Sequence, residues 1–414
     1  MYAKFNSVKF MAICGWSAYL LAVIEPLEIF PCRTPSECRR FERVAEFLQG
    51  RNPAFVPPFP GSIAKILSPA SAFHSRHGII FPFIAKRGGV PVGRIAAIVN
   101  RSHNTYHSDK TGFFGFFECE DKPETARSLF AKAAEVLRES GMESMRGPYS
   151  PSINDECGLL ASAFDLPPSI GLTWNPEYYI SLLVEAGLTG VRVLRSMNLP
   201  MHRLEKPERL RRIVDRIAQR TRLTMRTMDL SRLEEELRIV REVYNATLER
   251  NWGFVPISME DLMAAADDIR AIADPRLLLI AEMDGRDAGV AITLPNFNEI
   301  LIRIKRTPHW LRMAHIFFLM KTHRINSCRQ TVLGVVPSCR DRGLHAWLIH
   351  EQFIRAQERY DNATLGWMEE NNAEILKNSA LVGGELDRHW QIFEKSLVQR
   401  GPASDQQTFR CEKS

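Results

Sequence analysis

The chain has 414 residues, of which 45% are apolar and 25% charged; this suits two ordinary globular domains and excludes a largely disordered or fibrous chain. The formal charge of +6 is mild: it favours anionic partners such as phosphates or an acidic membrane surface without requiring them. Eight scattered cysteines form no C-x-x-C pair, which argues against a structural zinc site or a disulfide framework and suits reduced thiols in a cytosolic protein.

At the N-terminus, Lys4 and Lys9 precede an apolar run, residues 11–24. The run is shorter than the roughly 20 residues a bilayer requires, and no small-x-small cleavage site follows in Glu25-Pro26-Leu27-Glu28, so residues 1–28 read as an extra segment or surface anchor. Residues 79–85 (IIFPFIA) and 90–99 (VPVGRIAAIV) predict strands joined at Gly88-Gly89, the signature of a tight hairpin. Residues 112–118 (GFFGFFE) predict a central strand. Asp121 and Glu124 have capping-box spacing, and Ala126, Leu129, Phe130, Ala133 and Leu137 share one helical face that ends at Gly141. A short strand over 142–146 runs into Gly147-Pro148, and residues 100–109 read as a polar loop.

Residues 205–222 predict a helix with Leu210, Ile213, Val214 and Ile217 on one stripe and Arg209, Arg212, Arg216 and Arg220 on another. That pattern fits a solvated helix packed on a neighbour, or an interfacial helix against anionic lipid. The earlier order of elements then recurs. Ser231 and Glu234 suggest a second capping box, opening a helix with Leu233, Leu237, Val240, Tyr244 and Leu248 in line. Residues 277–283 and 288–294 form a second hairpin around Asp284-Gly285. A strand ending at Pro337, a helix with Ala346, Ile349, Phe353 and Ala356 in line, and strands at 363–368 and 391–397 complete it. A tandem α/β repeat follows from this order.

The second repeat holds the most informative stretch, residues 333–349 (LGVVPSCRDRGLHAWLI): a strand, a loop with arginines and a glycine, then a helix. A helix start exposes unpaired N–H groups and the positive end of its dipole, so Arg340, Arg342 and Gly343 sit where a pyrophosphate can be held.

These features resemble the GNAT acyltransferase superfamily, specifically its tandem members, over residues 29–396. The supporting segments are residues 55–58, 92–95, 112–118 and 146–156 in the first half, and 251–256, 294–298, 340–346 and 369–371 in the second. The resemblance implies two GNAT-like domains, each a mixed central sheet flanked by helices, at 29–200 and 201–400, with a tail at 401–414. It implies acyl-CoA, or an acyl carrier protein thioester, as co-substrate. The pantetheine arm would lie along a splayed strand and the pyrophosphate on an R/Q-x-x-G-x-G/A loop. Arg340 and Gly343 match its first two fixed positions, His345 stands at the third, and Leu344 lies between. Asn371 matches an asparagine after the next strand; Asn378 stands where many members have a tyrosine acid. Contacts to the co-substrate are expected at Val335, Arg340, Arg342, Gly343, Leu344, His345 and Asn371. The acidic Glu120-Asp121 of the first half predicts no CoA there.

Some bacterial ceramide synthases look like this tandem family, which implies N-acylation of an amine, with a long-chain sphingoid base the most concrete acceptor, and a cytoplasmic protein with peripheral membrane contact. Amide formation needs a base, oxyanion donors and an acid for the thiolate. The residues expected to carry this chemistry are Glu118 at its strand end, Asn154 and Glu156 in a polar loop, and the phenol of Tyr178. Each also has a plain structural reading: a solvated strand end, an Asx turn and a core tyrosine. His74/His77 and His103/His107 lack a third ligand, so no metal is expected; the basic run at 209–226 lacks interleaved aromatics, so nucleic acid is not expected either. A non-catalytic binding protein and a small-molecule N-acetyltransferase of a natural-product pathway remain open.

Overall fold

The computed structural model describes residues 25–203, 208, 211–212, 215–216, 219, 222–340 and 342–398. The first half opens with strand β1 (Leu27–Pro31) and helix α1 (Pro35–Gln49), which Thr34 and Glu37 start with a reciprocal capping box. Helix α2 (Ser62–Ile66) leads to the hairpin of β2 (Gly78–Arg87) and β3 (Val90–Asn100). Gly88 and Gly89 turn it at φ 55° and 81°, two consecutive left-handed positions that glycine adopts without a Cβ clash. Helix α3 (Arg101–His107), strand β4 (Thr111–Cys119), helix α4 (Pro123–Glu139) and strand β5 (Ser144–Gly147) follow. The short strands β6 (Tyr149–Ser150), β7 (Glu156–Cys157) and β8 (Leu159–Leu160), helix α5 (Tyr179–Glu185) and strand β9 (Thr189–Pro200) end this half.

The second half contains β10 (Leu223–Thr227), α6 (Leu233–Leu248), α7 (Met259–Ile272), β11 (Leu278–Met283), β12 (Arg286–Pro295), α8 (Asn298–Leu301) and α9 (Arg312–Thr322). It closes with β13 (Ser327–Val335), α10 (Leu344–Ala356), β14 (Asn362–Glu369), α11 (Ala373–Leu381) and β15 (Glu385–Ser396). Residues 1–24, most of 205–222 and the tail at 401–414 lie outside the described residues, and so do the readings made for them.

Three local expectations are corrected. Asp121 does not cap α4: Lys122 is the N-cap, without a side-chain bond, because Pro123 with its fixed φ begins the helix. Ser231 does not cap α6; Asp229 instead caps a 3-10 turn at Leu230–Arg232, accepting from the Ser231 N–H, and α6 starts after it. Residues 100–109 are not all loop, since the Asn100 side chain accepts from the His103 N–H and starts α3. A further capping box, Ser258 with Asp261, starts α7.

Among the described residues, thirteen strands form one sheet in the order β1-β2-β3-β4-β5-β15-β9-β14-β13-β12-β11-β10, with β8 paired to β15. The pairs β4–β5 and β13–β14 are parallel, which makes the sheet mixed. The two final strands are exchanged: β15 lies beside β5, and β9 lies beside β14. β9 and β15 also pair with each other, from Glu385↔Asn198 to Glu394↔Thr189, so one ladder joins the halves.

Helices cover both faces. Leu129, Phe130, Ala133 and Leu137 of α4 pack on one face of the first half, and Phe41 and Val44 of α1 on the other. In the second half, Val240 and Val243 of α6 face Ile280 and Val290, while Leu344 and Leu348 of α10 face Leu279 and Ala291. The sheet residues alternate between these clusters, as the two-residue period of a strand requires. Burying each such side chain is worth about 1.5–3 kcal/mol.

Candidate functional site

The loop between β13 and α10 is a 3-10 turn at Pro337–Cys339, then Arg340 to Gly343. Gly343 is the N-cap at φ 80°, a left-handed turn that lets the chain enter the helix without a side chain over its N-terminus. The first helical N–H groups, among them those of Leu344 and Ala346, have no intrahelical acceptor and point out of the start of α10. The Arg340 guanidinium donates to the Thr247 carbonyl at 3.0 Å, which ties the loop to α6. Arg342 reaches the Met283 sulfur at 3.6 Å. Val335 and Leu344 are buried beneath the loop. The Val335 carbonyl already accepts from the Thr247 hydroxyl, so of the expected contacts Val335 has its carbonyl engaged by protein. Asn371 follows the end of β14, beside Glu370.

The parallel strands β13 and β14 pair from Ser327↔Asn362 to Gln330↔Leu365 and then diverge. Beyond that point no backbone hydrogen bond among the described residues links 331–335 to 366–369. Arg329 sits at the base of this fork. It donates to the Gly366 carbonyl at 2.8 Å and to the Ile170 carbonyl at 2.6 Å. Burial pushes the Arg329 guanidinium down to about 10, with Cys157 and Glu156 pulling it back up.

Asn154 and Glu156 lie where the halves meet. The Asn154 amide donates to the Val255 carbonyl at 3.2 Å and accepts from the Tyr244 hydroxyl at 3.1 Å, both in the second half. Asp155 and Glu156 keep solvent-accessible surface although protein atoms surround them closely. Burial raises the Glu156 carboxyl to about 7, helped by Asp155, while Arg329 and Arg94 favour its charged form. Burial likewise raises Asp155 to about 6 against the hydrogen bonds from Ser152.

Glu118 and Tyr178 occupy a separate, neighbouring network. Arg94, buried on β3, donates to the Phe41 carbonyl at 2.8 Å and faces Glu118 at 3.5 Å. Tyr179 donates to Glu118 at 2.8 Å, and Tyr178 donates to the Cys119 carbonyl at 2.8 Å. Burial raises Glu118, with Arg94 opposing, and raises the Tyr178 phenol to about 12. Arg94 links the two clusters, because its charge also acts on Glu156.

Sequence reasoning missed Arg94, Arg329, Tyr149 and Tyr244. The Tyr149 ring stacks on Phe113 at 5.1 Å, and its buried hydroxyl has no hydrogen-bond partner among the described residues. Burial holds this phenol well above its ordinary value. These residues come from four distant segments, and only the fold makes them neighbours. One histidine of each pair serves the seam instead. His77 bonds Ser102 at 2.9 Å and Asp261 at 2.8 Å, and His107 donates to the Phe254 carbonyl at 2.9 Å. Among the described residues, no group of three or more His, Cys, Asp or Glu is arranged to hold a metal.

One mixed sheet with a forked parallel strand pair and a glycine-started helix beyond the fork is similar in fold to tandem GNAT proteins. No known family profile matches the chain. It is 28% identical over 380 residues to a bacterial ceramide synthase of Caulobacter vibrioides (strain NA1000 / CB15N), covering 90% of this chain and 98% of that protein. It is 26% identical over 351 residues to protein YghO of Escherichia coli (strain K12), covering 84% and 89%. Its fold matches a tandem GNAT protein from the clavulanic acid biosynthesis pathway with a TM-score of 0.53 at 13% identity, covering 91% of this chain and 100% of that one. It also matches a GCN5-related glucosamine N-acetyltransferase region of a fungal multi-domain GH3 beta-N-acetylglucosaminidase, with a TM-score of 0.52 at 14% identity, covering 90% and 38%.

Proposed function

We propose that the protein transfers an acyl group from a CoA or carrier thioester at the β13–α10 junction to an amine in the seam beside Glu156, and that the acceptor is a long-chain amine of the sphingoid type. The carrying observation is the Asn154–Glu156 loop: Asn154 bonds Val255 and Tyr244 of the second half, and Glu156, raised to about 7, feels the charges of Arg94 and of Arg329 at the base of the β13–β14 fork. A base with that affinity takes the proton of an attacking amine near neutral pH. The unpaired edge of β13 past Gln330 suits an extended pantetheine arm, which would add to it as a strand does. The N-terminus of α10 with Arg340 and Arg342 suits the pyrophosphate.

In this reading the amine nitrogen attacks the thioester carbonyl, the C–N bond forms and the C–S bond breaks. Glu156 takes the ammonium proton, and the thiolate takes one back. Asn154 orients the amine. Tyr149, whose buried hydroxyl has no hydrogen-bond partner among the described residues, is the candidate donor. Glu118, bonded by Tyr179, holds Arg94 in its place, and Tyr178 bonds the neighbouring Cys119 carbonyl. The ceramide synthase named among the relatives matches over almost its whole length, which supports a lipidic acceptor. His345 in the cradle favours a second reading, a non-catalytic protein that binds a thioester.

The test is incubation of the purified chain with acyl-CoAs from C2 to C16 and with long-chain or small polar amines, following thiol release and amide product. Long-chain amide is expected. Acetyl transfer to a polar amine would assign the small-molecule acetyltransferase instead. No thiol release at any chain length, combined with no thermal shift from CoA, would overturn the proposal.

A further inference from the structure

We propose that the region around α9 docks the protein onto an anionic phospholipid bilayer. The helix is amphipathic in an unusual way. Ile316 and Leu319 pack inward against Phe297, Ile300, Leu301 and Ile304. The opposite face and the turn before it expose Trp310 at 82%, Phe317 at 60% and Phe318 at 62%, together with Met313 and Met320. Aromatic residues clustered on one outer face mark an interaction surface, since isolated exposed apolar residues are ordinary but contiguous ones are not.

The face is held rigidly. Arg312 is buried, donates to the Glu46 carboxylate of α1 at 2.9 Å, and bonds the Thr307 carbonyl at 3.1 Å. Lys305 donates to the Asn52 carbonyl at 2.7 Å. The helix is therefore fixed to both halves, with its aromatic face turned outward.

Charge selects the occupant. Residues 300–326 contain no Asp and no Glu, while Arg303, Arg306, Lys321 and Arg324 are exposed around the aromatic face. A second copy of the chain docked on this face would bring like charges together. An anionic lipid surface complements the cations, and the aromatic side chains can sink about 5–10 Å into its headgroup boundary. The 11 residues of α9 span about 16 Å, too short to cross a bilayer, so the helix lies along it. The first half offers an internal control: the matching β3–β4 connection carries α3, with the polar sequence RSHNTYH.

The test is sedimentation of the full chain with phosphatidylcholine vesicles, with and without one quarter phosphatidylglycerol, in the absence of acyl donor or acceptor. Binding to the anionic vesicles is expected, weakening as salt rises. The double variant Phe317→Ser/Phe318→Ser should lower the partition coefficient at least tenfold with an unchanged thermal midpoint. Lys321→Gln should lower it about fivefold on anionic vesicles only. Absent binding by the wild-type chain, or equal binding by the double variant, overturns the proposal. So does a dimer in vesicle-free buffer that the double variant abolishes, which would assign the face to a second copy. Docking without turnover would overturn the acyl-transfer reading alone, and turnover without docking this one alone.

Discussion

The two halves place a strand and a helix in the same relation and join them differently. In the first, β4 passes to α4 through Glu120-Asp121-Lys122. Glu120 is satisfied by Arg87 at 3.1 Å and Thr125 at 2.8 Å, and α4 begins at a proline, which has no N–H. In the second, β13 passes to α10 through residues 336–343, with two described arginines and a left-handed glycine. The forks differ in the same sense. β4 and β5 diverge after Phe113↔Arg146, and the chain itself fills the gap: Ser150 accepts from the Phe116 N–H at 3.1 Å, and a Cβ on Gly115 would meet the Tyr149 carbonyl at 1.5 Å. The β13–β14 fork has no such strap among the described residues. One fold thus supports a closed half and an open one, and the difference lies in a few loop residues rather than in the sheet.

The comparison is broken most sharply at the point where the halves share a residue. Glu156 comes from the first half and feels the charge of Arg329 of the second. Glu156→Gln should lower kcat by about 10²–10⁴-fold with little change in the Michaelis constant for acyl-CoA. In the wild-type chain kcat/KM should rise with pH and level off above about 7, as the base loses its proton; the glutamine variant should show no such limb. Stability carries the opposite sign. The folded pKa lies above the unfolded one, so the stabilisation from protonated Glu156 is present at low pH and lost as pH rises through about 7. Glu156→Gln should therefore gain on the wild type in thermal midpoint at pH 8 and not at pH 4. A wild-type rate that is flat from pH 5 to 8 would remove Glu156 from the chemistry.

How much of this could be read beforehand depends on range. The Gly88-Gly89 and Asp284-Gly285 turns were legible because positive φ at both positions demands those residue types. The faces of α4 and α10 were legible from helical spacing, and the start of α10 after Gly343 from the strand, loop and helix pattern. The helix starts were less so: Pro123 overrides Asp121, and Asp229 competes with Ser231, because several residues in a row can cap. The exchange of β9 and β15 was invisible, since both are strands in either arrangement and alternation does not name a partner. Asn154-Asp155-Glu156 was legible as a polar loop, but its environment was not. Tyr244, Arg329 and Arg94 reach it from segments far away in the chain.

The next largest effects belong to the open junction. Gly343→Val forces a branched side chain into a left-handed position, a strain of about 1–3 kcal/mol, and points a side chain into the start of α10. Acyl-CoA affinity should fall at least tenfold by calorimetry, while the far-ultraviolet circular dichroism stays that of the wild type. Arg340→Ala removes one charge-assisted donor, worth about 1.5–3 kcal/mol where it meets a phosphate. It should weaken CoA about tenfold or more and weaken dephospho-CoA by the same factor, since the pyrophosphate is common to both. Unchanged affinity in both variants would move the cradle away from this loop.

The smallest expected effect is the most discriminating for the closed half. Asp121 is exposed and makes no contact that α4 needs for its start, since Lys122 is the cap and Pro123 the first helical residue. Asp121→Arg turns the acidic junction towards the charge of the open one without altering the backbone. If charge alone distinguished the halves, the variant would gain a second CoA site, visible as a doubled stoichiometry. The geometry argues otherwise: the junction lacks a left-handed glycine, and its fork is already filled by Tyr149 and Ser150. The expected result is one site per chain, with CoA affinity within twofold of the wild type. Two sites would mean that repulsion by Glu120 and Asp121, rather than the missing cradle, keeps the first half closed.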